Sequence, residues 1–202
     1  MSQETFSPQI LRDREDEKGI ADRVLQWWYR LAGQKDDGLA AYPSGVRAVL
    51  RRAQSPDDAL LSAGFRNLWL DLPSRRRTPW DMRAWGTVAT VLAEVRHHVP
   101  DRTFAAAMAT EKENGGGPRV SELRFQQLLR SNDLDELTRR ARRAVHLIDE
   151  AVDVRSLADD LLLWHREKNG RYASRPDHRL AVRWADAYYT RLERNPKAAD
   201  AG

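Results

Sequence analysis

The residues with the most chemistry to offer are arginines set at helical intervals. Arg47, Arg51 and Arg52 form one group, Arg119, Arg124 and Arg130 a second, and Arg139, Arg142 and Arg143 a third. Side chains three and four apart on a helix lie about 5–6 Å from one another, so guanidiniums at that interval can follow successive phosphates of a nucleic-acid strand. Arginine suits this work better than lysine, because its planar fork grips phosphate and also stacks on bases. Only 5 of the 34 basic residues are lysine. The competing reading is a solvated helix face, with Asp135 and Glu136 pairing Arg139 and Arg140, in a chain whose arginine content reflects codon usage.

Placement of charge says more than its sum. The net charge is +4, yet residues 44–79 carry seven arginines against three aspartates, and residues 119–146 carry seven against four acids. The first 18 residues are net acidic. Clustered positive charge with a pI near 9.6 is the footprint of a polyanion partner.

Signals for catalysis are poor, and the expectation is a protein with no catalytic residues, no metal site and no cofactor. Gly115, Gly116, Gly117 and Pro118 lack the lysine and hydroxyl of a phosphate-binding loop. There is no cysteine to act as nucleophile. His97 and His98 are adjacent, so on a helix they point about 100° apart and share no ligand. His146, Asp149, Asp153 and His165 do not repeat as a helical dimetal site requires. The seven tryptophans, at 27, 28, 69, 80, 85, 164 and 184, read as packing anchors, with base stacking the exception.

The elements that must position these arginines are helices. Ile20, Val24, Trp27, Trp28 and Leu31 trace one helical face. Arg47 to Ala53 continues as helix, and Ser55, Pro56, Asp57 and Asp58 restart it with a capping serine, a first-turn proline and acids. A long apolar helix is expected from about Trp80 to His97, and residues 111–118 read as a flexible loop. Val120 to Arg130 forms the next helix. Asp133 and Glu136 are spaced as a capping box for a helix to about Glu150, whose wheel puts Leu134, Leu137, Ala141, Ala144, Val145 and Ile148 on the buried face and Arg139, Arg142, Arg143 and His146 on the other. Asp153 and Ser156 open another helix, and Pro176 opens the last. The fold class is all-α, a compact bundle of about eight or nine helices. Residues 1–18 are expected to be a flexible acidic extension, 19–195 a single helical domain, and 196–202 a flexible tail.

At 202 residues, 41% hydrophobic and 32% charged, the chain suits one globular domain. The absence of cysteine excludes a disulfide scaffold and fits a reducing compartment. No apolar stretch approaches the roughly 20 residues of a membrane span, and no secretory signal opens the chain. A cytoplasmic protein is expected.

Trp27 and Trp28, the Arg47–Ala53 helix, the segment Arg119 to Phe125 after a glycine loop, Leu128 to Arg130, Leu137 to His146, Leu161 to Trp164, and Arg183, Trp184, Ala185, Tyr188 and Tyr189 occur in an order that resembles CasB, the small subunit of the type I-E CRISPR surveillance complex Cascade. The resemblance covers roughly residues 20 to 190. The acidic N-terminal segment, the Arg75–Arg77 loop and the Glu167–Arg175 linker match poorly. The resemblance implies a non-enzymatic helical subunit that sits as two head-to-tail copies beside other Cascade subunits, contacts crRNA, target DNA and the displaced single-stranded DNA, and stabilises the R-loop in antiviral defence while a separate nuclease cleaves. The nine arginines named first are its expected contacts. The alternative is a helix-turn-helix regulator of duplex DNA, for which the turn Ser131 to Asp133 lacks the usual glycine.

Overall fold

Ile20, Val24, Trp27, Trp28 and Leu31 form the buried face of the first helix, α1 (Ile20–Leu31), as their spacing predicts. The computed structural model describes residues 8–12, 19–34, 38–113 and 115–194. Both indoles of α1 are anchored: Trp27 Nε1 donates to the Gly64 carbonyl at 3.0 Å and Trp28 Nε1 to that of Val95 at 3.2 Å. The chain continues through α2 (Ser44–Arg52), α3 (Pro56–Leu60), α4 (Ala63–Asp71), α5 (Met82–Leu92), β1 (His97–His98), α6 (Phe104–Met108), α7 (Glu122–Leu129), α8 (Leu134–Leu147), β2 (Ala151–Val152), α9 (Val154–Lys168) and α10 (Leu180–Glu193). The fold is helical, as expected; α3 and α6, single turns of five residues, bring the described helices beyond the eight or nine foreseen.

α5 is the axis of the molecule. Every residue from Ala84 to Leu92 is buried, and α3, α4, α8 and α9 pack around it. α3 crosses at Gly86, where a Cβ would stand 2.7 Å from the Pro56 carbonyl oxygen. One contiguous apolar cluster extends from Leu11 to Tyr188.

Caps fall largely where the sequence places them. Ser55 and Asp58 form a reciprocal capping box. Asp153 Oδ1 accepts from the amides of Arg155 and Ser156 at 2.9 and 3.3 Å. Asp133 accepts from the Glu136 amide at 2.8 Å, but the Glu136 carboxylate reaches the Asn132 amide at 2.7 Å, one residue before the cap, so the expected box is only half formed.

Two expectations change. The apolar helix stops at Leu92 instead of His97; beyond it His97 and His98 pair in parallel with Ala151 and Val152. Pro176 opens only a short 3-10 turn (Pro176–His178), and α10 begins at Leu180. The two ends of the 111–118 loop are tied together: Glu111 bridges Pro118, the Lys112 amide donates to Gly117 at 3.2 Å and the Arg119 amide to Thr110 at 2.8 Å, with Gly115, Gly116 and Gly117 at positive φ where only glycine is unstrained. Residues 8–12 are held on the body, since the buried Asp159 accepts from the amides of Gln9, Ile10 and Leu11 at 2.9, 2.7 and 2.8 Å and Leu11 is buried. The rest of the expected N-terminal extension, and the tail at 196–202, lie outside the described residues.

Candidate nucleic-acid interface

Glu94, two residues past the end of α5, organises the arginines nearest to it. Its side chain is only 2% exposed, and a buried carboxylate needs charged partners to offset its lost hydration. Arg51 Nε donates to it at 2.8 Å, and Arg142 donates through Nε at 2.9 Å and Nη2 at 2.6 Å. Arg142 also donates to the carbonyls of Ala53, at 2.8 Å, and Arg51. His146 Nε2 stands 3.4 Å from the same carboxylate, while its Nδ1 meets Glu150 at 2.9 Å. Arg47 donates to the Ala93 and Val95 carbonyls at 2.8 and 2.6 Å, satisfying groups that the end of α5 leaves open. Burial first, then the nearby Arg51 and Arg96, push the Arg47 guanidinium below its ordinary pKa.

The nine arginines therefore divide. Arg47, Arg51 and Arg142 clamp α2, α5 and α8 together. Arg119 is 15% exposed and pairs with Asp149. Arg52, Arg124, Arg130, Arg139 and Arg143 are exposed, and no ion pair engages them among the described residues. The wheel of α8 places Arg142 and His146 outward, but both side chains bend along the helix flank to Glu94, a partner that for Arg142 lies 48 positions away in the chain.

Two contacts set α8 between its neighbours. Arg142 ties it to the C-terminal end of α2, and Arg140 ties it to the end of α7 through the Gln127 carbonyl and, at 3.4 Å, Ser131 Oγ. Arg52 and Arg130 stand at those helix C-termini, where a cation is favourable whatever the function. Arg139 and Arg143 have no such reason, being one turn apart in the middle of α8. Of the two acids expected to pair along that face, Glu136 does pair with Arg140, at 2.6 Å, whereas Asp135 turns to Arg83 at 3.0 Å and leaves Arg139 without it. Arg83 in turn reaches Asp57 at 2.9 Å, and these carboxylates hold its guanidinium above its ordinary pKa. What results is a positive ridge on a braced helix, suited to a phosphate backbone.

The other sequence candidates are dispersed. Asp153 caps α9 and receives the Asp101 amide at 3.0 Å, His146 belongs to the Glu94 cluster, and His165 packs on Trp80 with centroids 4.3 Å apart. Among the described residues no group of three histidines, aspartates or glutamates is placed to hold a metal, and no helix is long and apolar enough to cross a membrane. Five tryptophans are buried, Trp69 is half-buried, and Trp80 is 37% exposed. Glu94 escapes the sequence reading; its only signal there is a lone acid ending an apolar run.

A family model described as CRISPR-associated protein Cse2 matches residues 46–189. The chain is 30% identical over 172 residues to the CRISPR-associated protein Cse2 of Thermus thermophilus, covering 83% of this chain and 89% of that protein. No solved structure gives a significant match.

Proposed function

The chain belongs to the CRISPR-associated Cse2 family, the CasB small subunits of type I-E Cascade, and from that premise we propose that it holds nucleic-acid backbone within the complex, without reading sequence and without doing chemistry. The observation that carries this is the pair Arg139 and Arg143, exposed and without acidic partners among the described residues, on a helix fixed by Arg142 and Arg140. Arg52 and Arg130 extend the ridge at either side, and Arg124 lies on α7. Arg47, Arg51 and Arg142 brace the surface through Glu94 and the carbonyls around the ends of α2 and α5, and Arg119 is paired with Asp149.

In RNA-guided complexes base pairing carries the sequence information, and protein contacts to backbone tip a near-balanced strand exchange. Rigid, sequence-blind cations on the displaced strand favour the open state. The guide crRNA and target DNA present the same phosphates, and a second copy placed head-to-tail would lengthen the track.

With about four arginines on single-strand phosphates, log affinity falls with log salt at a slope near −2.8, or about 50-fold between 50 and 200 mM. The test begins by co-purifying this chain with guide RNA through a tag on another subunit, and continues with salt titration of target binding by the assembled particle. Replacing Arg139 and Arg143 by glutamate should leave assembly intact and make the slope shallower by about 1.4. An unchanged slope removes α8 from the interface, and a chain that prefers free duplex to the particle favours the helix-turn-helix reading.

A further inference from the structure

Arg102, in the turn between β1 and α6, carries a half-buried guanidinium that makes no hydrogen bond and no ion pair among the described residues. Its backbone is fully engaged: the Arg102 amide donates to the Val99 carbonyl at 3.2 Å, and the Arg102 carbonyl accepts from the Asp153 amide at 2.9 Å. Two more guanidiniums stand near it. Arg119 follows the 111–118 loop, and Arg191 lies in the last turn of α10, which is fixed beside that loop by the Tyr188 hydroxyl donating to the Val120 carbonyl at 2.7 Å. Burial first, then the charge of Arg119, lower the Arg102 pKa, with Asp149 opposing and Arg191 adding to the fall. The acids at hand are Asp149, which pairs with Arg119, and Glu113, which stands 3.9 Å from Arg119 and is 87% exposed. The end of α10 gives Arg191 a reason of its own, and Asp149 gives one to Arg119. Arg102 has neither: burial strips part of its hydration and no protein acceptor replaces it, beside two further cations.

We propose that Arg102, Arg119 and Arg191 form a site for one phosphate group, and that the Asp149 carboxylate is the counter-ion which that phosphate displaces. Guanidiniums meet phosphate with paired N–H donors, and one such anion gives Arg102 the acceptor it lacks while serving the other two. Asp149 is suited to the exchange. Its side chain is 58% exposed, and an exposed ion pair is worth little. Asp149 and Glu150 hold φ of 59° and 57°, a left-handed turn kept in place by the Glu150 amide donating to Val145 at 2.9 Å and by the Glu150 carbonyl accepting from the Arg96 and His97 amides at 2.8 and 3.0 Å. Exchange therefore needs a rotation of the Asp149 side chain and no movement of the chain. A purely structural Arg119–Asp149 pair explains those two residues and leaves Arg102 without a reason. A nucleic-acid strand that follows α8 past its C-terminal end and free phosphate offer the same chemistry, and only the first draws on the reading above.

The experiment titrates the isotope-labelled full chain with inorganic phosphate, exchanged for chloride at constant ionic strength, and follows the Nε–H signals of the three arginines and the Asp149 amide by NMR. In the parent these should shift together and saturate. Arg102→Gln should weaken phosphate binding about tenfold or more, the loss of one charge-assisted hydrogen bond, and should leave the fold intact because no contact among the described residues depends on that guanidinium. Asp149→Asn removes the counter-ion and keeps a residue at home in left-handed backbone, so it should tighten phosphate binding about two- to fivefold. A structural ion pair predicts lower stability in that variant and no gain in phosphate affinity. Shifts that do not saturate in the parent, equal affinity in Arg102→Gln, or no tightening in Asp149→Asn overturns the proposal. Salt titration of a labelled oligothymidylate identifies the source: for a strand phosphate Arg102→Gln makes the slope shallower by about 0.7, and for free phosphate the slope is unchanged while the phosphate titration is still lost. The Arg139/Arg143 double glutamate variant should keep the phosphate titration, so failure of the α8 ridge and failure of this site give different results.

Discussion

The Asp160 carboxylate is withdrawn from water, 2% exposed, accepting one hydrogen bond from Trp184 Nε1 at 2.8 Å and standing 3.5 Å from Arg183. Burial outweighs the stabilising charge of Arg183 and the Trp184 bond, and with Asp159 beside it the pKa is pushed up to about 7. The unfolded chain releases this proton near 4, so between about pH 4 and 7 the folded state binds more protons and stability falls as pH rises, then levels off. Asp160→Asn mimics the neutral acid. Its unfolding free energy, followed by denaturant titration from pH 4.5 to 8, should lack that descent and exceed that of the parent above pH 7 by on the order of 4 kcal/mol. A descent of equal size in the variant would exclude Asp160 as its source.

Among elements, α3 crosses α5 closely at Gly86. Alanine there would gain about 1 kcal/mol of helix propensity, but its methyl meets the Pro56 carbonyl at 2.7 Å and Leu60 at 3.1 Å. Overpacking of this kind costs about 1–3 kcal/mol, so Gly86→Ala should show a net loss of roughly 1 kcal/mol by urea unfolding; a gain would mean that α3 can shift freely. Local features of this kind divide by how they are legible in the sequence. The apolar face of α1 and the caps Ser55 and Asp153 announce themselves within a few residues, because spacing and capping are local. The early stop of α5 depends on Arg47 and on β2, which are distant in sequence. Only five of nine candidate arginines stay exposed for the same reason: nothing near Arg142 or Arg51 in the chain reveals that both converge on Glu94.

For the whole molecule, the segment Pro8–Arg12 is joined to α9 by one side chain. Asp159 is fully buried and receives three successive amides, and hydrogen bonds to a charged acceptor are worth about 1.5–3 kcal/mol each. Asp159→Ala should therefore speed amide hydrogen exchange at Gln9, Ile10 and Leu11 by roughly tenfold or more, while the amides of α5 keep their protection. Equal protection in the variant would show that Leu11 packing and the Arg76 hydrogen bond to the Arg12 carbonyl, at 2.8 Å, hold the segment without Asp159.

That joint also sets an order of events during synthesis. Gln9 and Asp159 are 150 positions apart, which at 5–20 residues per second is roughly 8–30 s of translation. Through that interval the amides of residues 9–11 have no carboxylate to receive them, and Leu11 has no finished core to enter. A nascent chain arrested anywhere short of α9 carries Ile10 and Leu11 without the surface that covers them in the finished fold.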